Sequence, residues 1–326
     1  MKDSLIQSLK QFLQLHFMPG KPILLGFSGG NDSRALLDLL CQARFFFPLS
    51  IHLAHVDHGW RKESSRQAKE LKKLAQTLEV SFHLHIGKEK EKSEEKARNE
   101  RLLFFTRLYK ELDAQALILA HHADDQAETV LKRIFEGAHL THLGAMKKVS
   151  QYEEMIVWRP LLDIPKKKLL DLLKERQLTA IQDETNLDER YLRGKMRQRI
   201  FPELNRQFGK EITGNLVRLS ETSHQLHAYL QVKTSHFFSK VEEGPSDIRL
   251  DFKNFFPLEK LEAHFVIKKL LSDQKVMISR VSIELMIIHL EKKSVKRKFG
   301  KNLIVDRGIL FLLKGTVTNN FLSQLK

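Results

Sequence analysis

The chain has 326 residues, 42% of them hydrophobic, enough for two domains with sizeable cores. Its 55 Lys and Arg against 40 Asp and Glu leave a net charge of +15, which points to a polyanionic partner, nucleic acid or an anionic membrane surface. The single cysteine, Cys41, excludes an intramolecular disulfide and a cysteine-rich zinc site, and no stretch has the apolar length of a membrane span, so a cytoplasmic protein without a membrane partner is expected.

Met1 to His16 carry Leu5, Leu9, Phe12 and Leu13 at helical spacing, without a signal peptide's apolar centre. This helix is expected on the edge of a sheet. Ile23, Leu24 and Leu25 then form a short apolar run that reads as a buried strand. It opens into Ser28, Gly29, Gly30, Asn31, Asp32 and Ser33, and an apolar helical face follows from Ala35 to Leu40. Paired glycines let the backbone turn tightly, and the free N–H groups of the next helix point at the same place, which makes an anion site. A plain Gly-Gly turn with a Ser or Asp cap would explain less of it. The loop lacks the Gly-Lys-Ser/Thr ending of P-loop NTPases and the spaced glycines of the dinucleotide fold. Ser28 to Ser33 read Ser-Gly-Gly-x-Asp-Ser, and so resemble the PP-loop, or N-type, ATP pyrophosphatases. That resemblance implies ATP cleaved between its α and β phosphates.

Residues 50–56 read as a second strand running into Asp57-His58-Gly59-Trp60-Arg61. His52 and His55 are three apart, hence on opposite strand faces, so no zinc triad with His58 is expected. His55 is expected at the carboxyl edge of the sheet, lining the nucleotide pocket. A polar helix over 64–79 and an alternating strand over 80–86 follow, then a mixed charge run over 88–96 that reads as a solvated loop. The next helix places Arg98 and Arg101 on one face, where phosphate or neighbouring Glu residues suit them equally.

Ala116 to Ala120 form a further short strand, opening into His121-His122-Ala123-Asp124-Asp125-Gln126-Ala127-Glu128-Thr129 and a helix through Ile134. Three carboxylates, Asp124, Asp125 and Glu128, beside a phosphate site repel ATP unless a cation intervenes. Mg2+ answers that need, and a substrate ammonium would also suit them. Acids at a helix start also serve its dipole, but two histidines and Gln-x-Glu exceed what a cap requires.

With four blocks in hand the resemblance sharpens. Ser28 to Ser33, His55 to Arg61, Ala97 to Arg101 and His121 to Thr129 occur in an order similar to the tRNA(Ile)-lysidine synthetase family. Trp158-Arg159-Pro160-Leu161-Leu162, Asp183 to Asn186, Arg193, Arg197 and Phe201-Pro202 fit it as well. Two positions depart from the family's usual Arg-Gly and Arg-Asn: Glu136-Gly137 and Arg193-Gly194.

The resemblance implies an α/β fold, a Rossmann-like, mostly parallel sheet with helices on both faces. It implies ATP and Mg2+ as cofactors, and free L-lysine and a tRNA(Ile) with a CAU anticodon as partners. The anticodon cytidine would be adenylylated on its C2 oxygen, and lysine would then displace AMP to leave lysidine. ATP binding would fall to Ser28, Gly29, Gly30, Asn31, Asp32, Ser33 and His55. Mg2+ or lysine would be held by Asp124, Asp125 and Glu128. Catalysis would rest on Asp32, His121, Asp125, Glu128 and Arg193. The basic stretch Arg190, Lys195, Arg197 and Arg199, with Arg98 and Arg101, would contact tRNA. Two rivals are another PP-loop tRNA-modifying enzyme, a thiolase, and a catalytically silent nucleotide-dependent RNA-binding protein. One cysteine disfavours thiolases that use paired cysteines or an iron–sulfur cluster.

From Asn205 to Val241 a long helical pattern is interrupted mainly at Gly209 and Gly214. The domain boundary is expected at its start, giving a catalytic domain over 1–204 and a smaller, mainly helical tRNA-binding domain over 205–326. The latter has amphipathic helices over 258–271 and 280–290 and a closing hairpin around Asp306-Arg307-Gly308. Oligomeric state stays open, a homodimer being one option.

Overall fold

The computed structural model describes residues 2–60, 63–87, 94–181, 192–253, 258–300 and 302–314. Two compact units emerge: residues 1–137 with 144–220, and residues 138–143 with 221–326.

The first unit begins with α1 (Lys2–His16), β1 (Ile23–Gly26), α2 (Asn31–Ala43), β2 (Ile51–Asp57), α3 (Ser64–Thr77) and β3 (Ser81–Ile86). It continues with α4 (Glu94–Glu111), β4 (Ala116–Ile118), α5 (Ala123–Phe135), β5 (Val149–Tyr152), β6 (Met155–Trp158) and α6 (Lys166–Glu175). After that come α7 (Leu192–Lys195), a wider π turn over Met196–Ile200, and α8 (Phe201–Phe208). The sheet runs β3-β2-β1-β4-β6-β5, parallel throughout except for the antiparallel edge strand β5. Strands β5 and β6 and helix α6 are not among the elements expected from the sequence.

Strand alternation assigns the faces. Ile23, Leu25, Leu53, Ile118 and Trp158 pack with α1, α2 and α6, while Leu24, Ala54, Leu117 and Val157 pack with Phe104, Phe105 and Leu108 of α4. The first helix thus lies on a face of the sheet and not on its edge. Its four predicted apolar residues are buried, and Phe12 meets Trp158 edge-on. A helix with such a wide apolar stripe buries more area on a face than an edge offers. Cys41 is half-buried against the same core, and burial pushes its thiol pKa up.

Order 3-2-1-4 puts a switch point between β1 and β4. The chain leaves β1 toward β2 and β3, then returns on the other side as β4. Ligands of open α/β sheets bind where the loops part at such a point. The Gly-rich loop follows β1 and the acidic turn follows β4, so these two motifs flank it.

Helix α9 (Thr213–Lys233) spans the boundary between the units. Gly209 ends α8 in a left-handed conformation, φ 63°, whereas Gly214 lies inside the first turn of α9 and breaks nothing. The second unit adds α10 (Ser235–Phe238), β7 (Glu242–Glu243), β8 (Asp247–Asp251), α11 (Lys260–Asp273), α12 (Arg280–Glu291), β9 (Arg297–Lys298), β10 (Leu303–Asp306) and β11 (Ile309–Leu313). Its helices pack on a five-stranded antiparallel sheet, β7-β8-β11-β10-β9, of which only the last hairpin was legible beforehand. Ile248, Leu250, Val305, Leu310 and Leu312 face Val266, Ile267, Leu270, Ile283, Met286 and Ile287.

Candidate active site at the β1/β4 switch point

The Gly-rich loop is tight because of one residue. Gly29 has φ +80°, and a Cβ there would lie 2.8 Å from Ile181 Cδ1 and 3.0 Å from Leu71. Its carbonyl accepts from the Ile181 amide at 2.9 Å, which ties the loop to the chain beyond α6. Ser33 Oγ donates to the Gly30 carbonyl, and Ser28 Oγ accepts from the Gly30 amide. Gly30 caps α2 without a side chain, and its carbonyl accepts the opening helical bond from the Arg34 amide at 2.9 Å. The amides of Asn31, Asp32 and Ser33 precede that bond and open α2 toward an anion. His55 is buried and donates from Nδ1 to the Phe27 carbonyl at 2.8 Å, pinning the entrance of the loop to β2.

Across the switch point, α5 starts at a buried histidine, His122, which is not among the site residues expected from the sequence. His122 is 1% exposed and sits among three carboxylates: Asp32 Oδ2 at 3.5 Å, Asp124 Oδ2 at 3.5 Å and Asp125 Oδ2 at 3.4 Å. None is short or straight enough for a hydrogen bond to the ring, so these are ionic contacts. Burial disfavours the imidazolium, but the surrounding acids prevail and hold its pKa at about 9. The His122 amide also donates to Asp125 Oδ2 at 3.1 Å, closing the first turn. Asp32 and Asp124 are held below the usual carboxylate range: burial raises both, and the His122 imidazolium outweighs it, helped by Lys166 at both and by Arg197 at Asp32. The charge problem that pointed to Mg2+ is therefore largely answered by a side chain.

His121, its neighbour, behaves oppositely. Burial lowers its pKa to about 4, with the nearby charges of Arg159 and Arg193 adding to the effect, so the ring is neutral at pH 7. Its Nδ1 is buried with no hydrogen-bond partner among the described residues.

Arg197 differs most from expectation. The resemblance implies a tRNA contact for it, yet its guanidinium faces inward. Nε donates to Glu128 Oε1 at 2.5 Å, and Nη2 to Glu128 Oε2 at 3.1 Å and Asp125 Oδ1 at 2.8 Å. This is a fork on a carboxylate pair whose side chains are only 6% and 14% exposed. Burial pushes the Glu128 pKa up even with Arg197 beside it. The π turn over Met196–Ile200 changes the angular step per residue, so helical spacing alone could not tell which face Arg197 takes. Lys195 and Arg199 are exposed, as are Arg193, Arg98 and Arg101. Between Arg98 and Arg101, Glu100 turns inward to His85 at 3.1 Å and His58 at 3.4 Å, joining the ends of β2 and β3. Arg190 and the 183–186 stretch lie outside the described residues.

Two further groups complete the site. The Asp124 carboxylate accepts from the Lys166 amide at 2.9 Å, and Lys166 Nζ lies 4.0 Å from Asp32 Oδ2. Gln126 is buried: its Nε2 donates to the Gly144 and Met146 carbonyls and to Ser220 Oγ, and its Oε1 accepts from the Met146 amide. It braces α5 rather than facing a ligand. Of the two departures from the family pattern, Glu136 is an exposed C-cap near Lys132 (3.5 Å), and Gly194 is buried within α7.

Asp32 Oδ1 is buried and has no hydrogen-bond partner among the described residues. Mg2+ typically takes one or two carboxylates and completes its shell with water and phosphate oxygens. One orphaned oxygen beside a phosphate loop fits that requirement, so the residues present suit the ion.

Comparisons with known proteins agree with this geometry. Residues 1–204 match a family described as a PP-loop domain. The chain is 34% identical to a tRNA(Ile)-lysidine synthase of Protochlamydia amoebophila, over 98% of this chain and 71% of that protein. It is 38% identical to a tRNA(Ile)-lysidine synthase of Chlamydia pneumoniae, over 90% of this chain and 92% of that protein. Among solved structures, a U34-tRNA thiolase from Methanococcus maripaludis superposes with a TM-score of 0.57 at 17% identity, over 68% of this chain and 78% of that one, a likeness of fold. Among the described residues no helix is long and apolar enough to cross a membrane.

Proposed function

We infer the residue roles that follow from one premise: this chain belongs to the tRNA(Ile)-lysidine synthases and carries their PP-loop domain. It is an ATP-dependent tRNA-modifying ligase. The observation that supports the roles best is the meeting of the loop over 28–33 and the turn over 121–128 through the Asp32–His122 contact.

The reaction is two displacements. The C2 oxygen of the anticodon cytidine attacks the α-phosphorus of ATP, and pyrophosphate leaves with the electrons of the broken P–O bond. The side-chain amine of free lysine then attacks C2, and AMP leaves. The amides at the start of α2 cradle phosphate, with Gly29 and Gly30 keeping the backbone close. Mg2+, held by Asp32, would neutralise phosphate charge. The His122 imidazolium keeps Asp32, Asp124 and Asp125 in register, so it is a positioning residue. Asp125 and Glu128 receive the lysine ammonium in exchange for the guanidinium of Arg197. Glu128, with its raised pKa, takes the ammonium proton and frees the amine for attack. His121, neutral, offers its unpartnered nitrogen as a hydrogen-bonding group rather than a charge. Arg193, exposed and close enough to perturb His121, meets negative charge developing at the reacting centre. Lys195, Arg199, Arg98 and Arg101 remain the tRNA-backbone contacts, the target base being a loop nucleotide that can be splayed out. The second unit orients the tRNA. Residence in the cytoplasm follows from the substrate.

The test is incubation with ATP, Mg2+, radiolabelled lysine and total bacterial tRNA. Label resistant to mild alkali and mapping to the anticodon cytidine is expected. No label, but AMP and pyrophosphate with another donor, would move the assignment to a different PP-loop enzyme; neither would leave a silent binding protein. Asp125→Asn should abolish labelling while tRNA binding persists.

A further inference from the structure

ATP needs positive charge on its phosphates, and the loop over 28–33 has none: no lysine stands where P-loops carry one. The cations near it differ in availability. His122 is 1% exposed and enclosed by acids, and Arg197 is engaged by Glu128 and Asp125. Lys166 is different. As the first residue of α6 it is held by its backbone: its amide donates to Asp124 Oδ2 at 2.9 Å, and the Ala123 amide donates to the Ile164 carbonyl at 3.0 Å. These bonds lash the start of α6 to the start of α5. The Lys166 side chain is 34% exposed, and its Nζ stands 4.0 Å from Asp32 Oδ2, at the outer limit of an ion pair. A fixed base with a loosely tethered ammonium is the arrangement of a ligand-binding lysine, not of a structural bridge.

We propose that Lys166 is the phosphate-binding lysine of this site, exchanging Asp32 for the phosphates of ATP and stabilising the pyrophosphate that leaves when the cytidine C2 oxygen bonds to the α-phosphorus. The exchange also frees Asp32. This rests on the ATP-dependent reading above, and it separates the two displacements. Lys166 acts in the first, when the Pα–O bond breaks, and not in the second, when the lysine amine displaces AMP from C2.

The test uses the full chain with Mg2+, α-labelled ATP and a tRNA(Ile) transcript bearing a CAU anticodon, without lysine, and reads label transferred to RNA. Lys166→Met is expected to slow labelling at saturating ATP by roughly 100-fold, the scale of losing one charge-stabilising donor. Lys166→Arg should stay within about tenfold of the wild type, because it keeps the charge. Lys167→Met, one exposed residue along the helix, should match the wild type. Adenylylated tRNA made by the wild type and isolated should react with lysine equally fast on Lys166→Met and on the wild type. An unchanged melting temperature for Lys166→Met establishes that it is folded. If the wild type itself labels no tRNA, the function proposed above fails. If the wild type labels and Lys166→Met labels as fast, the role of Lys166 alone is overturned. Equal slowing of both displacements overturns it too, since that reports a damaged site.

Discussion

Replacing Arg197 with methionine strands two buried carboxylates. The guanidinium makes three hydrogen bonds to Glu128 and Asp125, whose side chains are 6% and 14% exposed. Removing one partner of a fully buried pair costs about 3–5 kcal/mol. Arg197 itself is 25% exposed, so water replaces part of the interaction and about 2–3 kcal/mol is expected. For a unit of this size that lowers the melting temperature by roughly 5–10 °C. Acid should relieve the deficit. Burial already raises the Glu128 pKa above its ordinary 4.5, and loss of Arg197 raises it further. A carboxylate with a raised folded pKa contributes stability below its unfolded pKa and loses it as pH rises through the folded one. The gap between variant and wild type should therefore be widest near pH 7.5 and shrink toward pH 4.5. The assay is a pair of melts at each pH, with Glu128→Gln added to show partial rescue in the double variant. A gap under about 1 °C at pH 7.5, with tRNA affinity losing salt dependence instead, would mean that Arg197 faces the RNA and that the inward fork is wrong.

Three further outcomes follow from particular contacts. Gly29→Ala forces a Cβ into Ile181 and Leu71 at φ +80°, so binding of a fluorescent ATP analogue should be lost and stability should fall by about 1–3 kcal/mol; retained nucleotide affinity would refute the tight-loop argument. Gln126→Leu removes the side chain that bonds both the carbonyl and the amide of Met146, while Ser220 Oγ still donates to the Gly144 carbonyl, and should cost about 1–3 kcal/mol by denaturant titration, whereas a neutral result would show that water takes its place. In the second unit, His264 is buried, stacks on His139 at 4.0 Å, and has its pKa lowered to about 4 by burial, with His139, His142 and Arg280 adding and Glu284 opposing. A histidine kept neutral in the fold loses stability as pH falls from about 6.5 toward its folded value. His264→Leu should accordingly be less acid-sensitive between pH 7 and 5 than the wild type in thermal melts; parallel curves would contradict this.

Much of the site was legible in the chain because its parts are local. Gly29 and Gly30 between an apolar run and a helical face can form little but an anion loop, and Asp124 and Asp125 after a second short strand announce a helix start at a sheet edge. Strands β1 to β4 carry their own apolar or alternating signal. β5 and β6 were missed because Met155-Ile156-Val157-Trp158 reads as strand only once β4 lies beside it. The five-stranded sheet of the second unit was hidden for the same reason: strands of two residues, such as β7 and β9, have no period of their own.

Charge was decided by tertiary structure alone. Sequence placed His121 and His122 side by side, and the family resemblance singled out only His121. Folding encloses His122 among three carboxylates, whereas burial, Arg159 and Arg193 outweigh Asp125 at His121, so their pKa values part to about 9 and about 4. It likewise turned Arg197 inward among neighbours that look alike in sequence, and brought Lys166 to Asp32 across more than a hundred residues of chain. Backbone conformation in those segments answers to the nearest few residues, so the chain itself determined the loop, strands β1 to β4 and the starts of α2 and α5. Electrostatic energy answers to distance and burial, and those exist only once the β1/β4 switch point has formed.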